Sequence, residues 1–134
     1  MNKLVYMFSV LSIVLIMQGC KAGGSQNANA NGSYESLAVA DFAKIIGNSD
    51  VQLLDVRTSG EYMQGNIDGS VNIDIKEEYF NDSAACLLDK SRCVAVYCRS
   101  GRRSKIAASR LVEMGFKVVE LDKGYNAWVE DAKK

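Results

Sequence analysis

The sequence predicts an α/β domain on a parallel central sheet, from two observations of pattern and one of composition. Short apolar runs alternate along the chain with stretches of helical period. The runs are nearly continuous, without a polar residue at every second position, so each strand should be covered on both faces. The composition suits one core: 134 residues, 48% hydrophobic and 24% charged, with 16 basic and 16 acidic side chains.

The first twenty residues stand apart from that fold. "MNKLVYMFSVLSIVLIMQGC" carries Lys3, an apolar run from Leu4 to Met17, then Gly19 and Cys20. The run falls short of the ~20 residues a spanning helix needs and suits the core of a secretion signal. It resembles a bacterial lipoprotein signal, which implies cleavage before Cys20 and a lipid on that cysteine; an uncleaved anchor is the alternative. Either reading places the remainder outside the cytoplasm, in the periplasm or cell envelope, tethered to a membrane. "KAGGSQNANANGS" then has almost no large apolar side chain and cannot offset its own ordering entropy. Residues 1–19 are therefore expected as signal, 20–33 as lipidated cysteine and flexible linker, and 34–134 as the folded domain.

Within the domain, "LAVADFAKIIG" puts Leu37, Phe42, Ile45 and Ile46 on one helical face, with Gly47 as C-cap. Val51 to Val56 is a buried strand. "TSGEYMQG" gives one or two helical turns, capped by Thr58 or Ser59 and stopped by Gly65. "SVNIDI" is a second strand and "KEEYFNDSAACLLD" is partly helical. "CVAVYC" is a third strand, followed by a helix with Ala107, Leu111 and Met114 at i, i+4 and i+7 and Gly115 closing it. "FKVVELD" is another strand, and "YNAWVEDA" a last helix whose Trp128 packs on the sheet.

Composition excludes several chemistries. The neutral balance argues against a nucleic-acid partner. The chain has no histidine, so it has no Ser–His–Asp triad, no Cys–His dyad and no His-ligated metal. Catalysis would have to use cysteine, carboxylate, lysine, tyrosine or backbone dipoles.

One stretch assembles such a site. In "VAVYCRSGRRS", Cys98 ends a strand and a helix begins near Arg103. In open α/β sheets, ligands bind beyond the carboxyl ends of strands. The loop can turn its N–H groups inward around Gly101, and the helix N-terminus adds about half a positive charge. Arg99, Arg102 and Arg103 add more, with Ser100 and Ser104 completing the loop. Helix termini and cations favour the thiolate over the thiol. The pattern describes an activated nucleophile in an anion cradle, and it requires a sulfur that water can reach. The alternative is an inert thiol at a strand end.

"LLDVRTSGEYMQGNIDGSVNI", "VAVYCRSGRRSKIAASRLVEMGF" and "VVELDKGYNAW" together resemble a single-domain rhodanese, over Ser36 to Trp128. The resemblance implies a five-stranded parallel sheet flanked by helices and a sulfurtransferase in which Cys98 carries sulfane sulfur as a persulfide, with residues 99–104 binding the anion. It implies a double displacement between a small anionic donor such as thiosulfate and a thiophilic acceptor, cyanide or a thiol. A monomer without a cofactor is expected, and the spacing of Cys86, Cys93 and Cys98 argues against a metal site. Asp55, Arg57 and Glu61 are implied to be architectural, Arg57 pairing with Glu61. Asn66, Asp74 and Lys123 stand where the family has histidine, proline and a second glycine. Two other readings are a phosphatase or arsenate reductase, and a non-catalytic module binding an anion or a partner. Tyrosine phosphatases use Cys-x5-Arg, whereas Cys98 to Arg103 is Cys-x4-Arg, a loop better sized for one sulfur atom.

Cys86 and Cys93 are separated by an expected loop and could form a disulfide or be two small core residues. Cys93 and Cys98 stand at opposite ends of one strand, ~17 Å apart, too far to bond. Tyr79, Phe80 and Tyr125 could line the mouth of the site or pack in the core.

Overall fold

The computed structural model describes residues 33–134. The expected signal, Cys20 and the linker through residue 32 lie outside the described residues. The order of elements is β1 (Glu35–Leu37), α1 (Val39–Ile46), β2 (Val51–Asp55), α2 (Ser59–Gln64), β3 (Val71–Asn72), α3 (Phe80–Leu87), β4 (Cys93–Tyr97), α4 (Arg102–Glu113), β5 (Val118–Leu121) and α5 (Gly124–Asp131). The strands form one five-stranded sheet in the order β1-β5-β4-β2-β3, with every pairing parallel.

The two-residue period of β4 explains why both faces are covered. Val94, Val96 and Cys98 enter one apolar cluster, with Ala107, Ala108 and Leu111 of α4 and Phe80 and Ala84 of α3. Cys93, Ala95 and Tyr97 enter the other, with Phe42 of α1. Trp128 of α5 joins that second layer and meets Phe42 edge-on, ring centroids 6.5 Å apart. Helices therefore flank the sheet on both sides, and β4, at the centre, ends in the fully buried Tyr97 and leads into the equally buried Cys98.

Three boundaries differ from the sequence reading. Leu37, placed on a helical face by its spacing, belongs to β1, where it pairs with Leu121. Three residues are too short to carry a period, and pairing with β5 decides their state. Of "SVNIDI" only Val71–Asn72 forms strand. Beyond it Ile73 and Ile75 still donate to the Asp55 and Val56 carbonyls, but the ladder is no longer regular. Met114 is the half-buried C-cap of α4, and Gly115 turns the chain at φ +95°.

Candidate active site at the carboxyl end of β4

Cys98 directly follows β4, and the chain reaches the first turn of α4 in three further residues. Gly101 is the N-cap of α4, with φ +96°. A Cβ there would strike the Asp122 carbonyl oxygen, so both the dihedral and the close approach demand glycine. The turn is gripped from the far side by α5. Tyr125 N–H donates to the Cys98 carbonyl at 2.8 Å and Asn126 N–H to that of Arg99 at 3.0 Å. Gly124 makes this approach possible: its φ is +65°, and a Cβ would lie 2.5 Å from the Arg99 carbonyl oxygen. Lys123, by contrast, has φ −100° and tolerates its side chain.

The sulfur has two hydrogen-bond partners. Gly101 N–H donates to Cys98 Sγ at 3.1 Å, and the thiol donates to Ser104 Oγ at 3.4 Å. Cys98 is 0% exposed. The expected accessibility is therefore not met in this conformation, because the loop closes over its own nucleophile.

The arginines divide differently from a uniform cradle. Arg99, Ser100 and Arg102 are exposed. Arg103 makes a two-pronged ion pair with Glu61, 2.8 Å at each oxygen. Glu61 is the N3 residue of a capping box with Thr58. The Arg103 guanidinium, helped by the Thr58 N–H and hydroxyl against the effect of burial, holds its carboxyl down at about 2. The expected Arg57–Glu61 pair does not form. Arg57 instead folds back on Asp55 two residues earlier, with Nη2 at 2.7 Å, and also donates to the Gly65 carbonyl at 2.6 Å. The two-residue offset at a strand end brings that guanidinium to its own carboxylate, leaving Glu61 to face α4. Asp55 is fully buried and neutralised by Arg57, whose guanidinium lies 4.2 Å from the Tyr125 ring centre. The Asp55 charge is spent on Arg57 rather than turned toward the loop.

Beside the loop, Arg57, Glu61, Gln64, Gly65, Arg99, Tyr125 and Asn126 line a cavity of about 400 Å³. Tyr125 thus lines a cavity that borders the loop at Arg99. Phe80 is core, fully buried beneath α4, and Tyr79 is exposed beside a separate cavity with Ile73, Ser83 and Leu87. The Cys86–Cys93 disulfide is a further correction: Cys86 carries a free, exposed thiol on α3, while Cys93 is buried at the start of β4. The pair of core thiols fails as well, since Cys86 faces solvent.

The sequence reading missed Glu120 and Lys105. Glu120 is 0% exposed on β5. It accepts from the Ser104 hydroxyl and from the Ser36 hydroxyl, each at 2.6 Å. Lys105 Nζ reaches both Glu120 oxygens at 3.2 and 3.3 Å and Asp122 Oδ1 at 2.9 Å. A carboxylate inside the apolar run "VVEL" was the available signal, because such a charge must be partnered when buried.

The rhodanese-like domain family model matches residues 38–131. Thiosulfate sulfurtransferase GlpE of Shewanella oneidensis is 32% identical over 102 residues, covering 73% of this chain and 95% of its own length. Thiosulfate sulfurtransferase 18 of Arabidopsis thaliana is 32% identical over 120 residues, 79% of this chain and 88% of its own. Among solved structures, a rhodanese-related protein of Thermoplasma volcanium superimposes with a TM-score of 0.64 at 32% identity, over 73% of this chain and 93% of that one.

Proposed function

The chain belongs to the rhodanese-like domain family, and from that premise we propose that it is a sulfurtransferase working through a Cys98 persulfide. The observation that carries the reading is the Gly101 N–H aimed at Cys98 Sγ at 3.1 Å, at the N-cap of α4. An amide and a helix N-terminus together stabilise negative charge on that sulfur. Support also comes from relatives whose names are those of thiosulfate sulfurtransferases.

The Cys98 thiolate attacks the outer sulfur of an anionic donor of the thiosulfate kind. The new S–S bond forms as the donor's own S–S bond breaks, and sulfite leaves with the electron pair. The terminal persulfide sulfur then carries the negative charge. An acceptor thiolate or cyanide attacks it, and the Cys98 thiolate leaves. The exposed Arg99 and Arg102 draw the donor in, while Arg103, tied to Glu61, fixes the first turn of α4. Because the resting sulfur is buried, donor access requires the exposed Arg99–Ser100 turn to swing aside. The proposal extends to the N-terminus: Cys20 bears a lipid that holds the domain outside the cytoplasm, so Cys20→Ala should release the protein from the membrane fraction.

The test is to offer the domain thiosulfate or a phosphate monoester and follow intact mass. A gain of one sulfur, lost in Cys98→Ser, is expected. Turnover of the phosphoester without a sulfur adduct would favour phosphatase chemistry. Neither adduct nor turnover would make the chain a non-catalytic family member, the rival that the burial of Cys98 favours.

A further inference from the structure

Glu120 is a buried carboxylate with no part in the sulfur chemistry above, yet it stands one hydroxyl away from the nucleophile. Cys98 is fully buried, so bulk water does not meet its proton at rest. Histidine, the usual acceptor, is absent from the chain. The one side-chain group within hydrogen-bond distance of the thiol, among the described residues, is Ser104 Oγ at 3.4 Å. The Ser104 proton is itself committed to Glu120 Oε1 at 2.6 Å. A serine oxygen that donates to a carboxylate turns a lone pair toward its other neighbour, which here is the thiol.

We propose that Glu120, acting through Ser104, takes up the proton of the Cys98 thiol and is thereby a positioning residue for the nucleophile; this rests on Cys98 being the nucleophile. The thiol proton passes to Ser104 Oγ while the Ser104 proton passes to Glu120 Oε1. The products are a thiolate, an unchanged hydroxyl and a neutral carboxylic acid. One negative charge has moved from Glu120 to the sulfur, and net charge is conserved.

The surroundings accommodate the charge at both ends. At the sulfur, the Gly101 N–H stands at 3.1 Å, and the Arg103 cation is near enough for its charge to interact with Cys98. At Glu120, the facing groups are Ser36 of β1, Ser104 and Lys105 of α4 and, at longer range, the Tyr34 phenol, raised by burial and then by the Glu120 charge. Lys105 loses one carboxylate partner when Glu120 is protonated but keeps Asp122 at 2.9 Å. The Ser36 hydroxyl can continue to bond the neutral acid.

The test uses methyl methanethiosulfonate, a small reagent that caps thiolates, with peptide mass spectrometry at Cys98 in a Cys86→Ser background. Glu120→Gln should slow labelling about tenfold or more near neutral pH, the deficit closing toward about pH 9, above the ordinary thiol range, where ionisation no longer needs the carboxylate. Ser104→Ala should produce the same deficit, the double variant should be no slower than either single one, and Ser104→Thr should restore the rate. A wild-type rate in Glu120→Gln, a deficit equal at every pH, or additive losses would overturn the assignment. If Glu120→Gln does not fold, Ser104→Ala against Ser104→Thr decides it alone. The probe needs no sulfur donor. The predicted labelling pattern without any gain of sulfur from thiosulfate would sink the sulfurtransferase reading and leave the proton route standing.

Discussion

At the scale of single residues, two glycines set the geometry of the site and a third position shows where glycine is dispensable. Gly101 and Gly124 combine positive φ with backbone oxygens where a Cβ would sit. Gly101→Ala and Gly124→Ala should each cost about 2 kcal/mol or more in urea unfolding and abolish sulfur loading. Lys123→Ala, at φ −100° and exposed, should stay within about 0.5 kcal/mol of wild type. The motif "CRSGRRS" made Cys98 and Gly101 readable in the sequence, because a thiol, a glycine and a new helix in sequence have few other uses. The partners of Arg57 and Glu61 were not readable. Arg57 bonds two residues back and Glu61 bonds 42 residues ahead, and linear spacing does not rank a local bond against a distant one.

At the scale of elements, the Glu61–Arg103 pair joins the first turn of α2 to that of α4. Both side chains are about three-quarters buried, at 26% and 22% exposed, and the contact is bidentate, so Glu61→Gln should cost roughly 1–2 kcal/mol, more than an open surface pair. Glu61 is held at about 2, below its ordinary 4.5. Its contribution is therefore complete above about pH 4.5 and is lost as pH falls through 2. Urea titrations at neutral pH should separate wild type from Glu61→Gln, and the gap should shrink toward pH 2; a constant gap would contradict the assignment. α4, β4 and β5 were legible because burial imposes their patterns. β1 was not, since its three residues become strand only by pairing with β5, a contact that closes late along the chain.

At the scale of the whole molecule, the sheet order places β4 between β5 and β2, so the loop holding Cys98 receives α5 from one side and Arg57 and Glu61 from the other. One consequence is graded thiol reactivity. A bulky disulfide reagent should modify exposed Cys86 within mixing time and buried Cys98 far more slowly, with the difference erased in denaturant; equal rates in the folded state would show that the loop is open at rest. A second consequence concerns synthesis. The amides that clasp the Cys98 and Arg99 carbonyls belong to Tyr125 and Asn126 of α5, two elements further along the chain than the loop and α4. A polypeptide whose cysteine loop has left the ribosome ahead of α5 has no clasp, so this thiol is set in place only once α5 has followed it out.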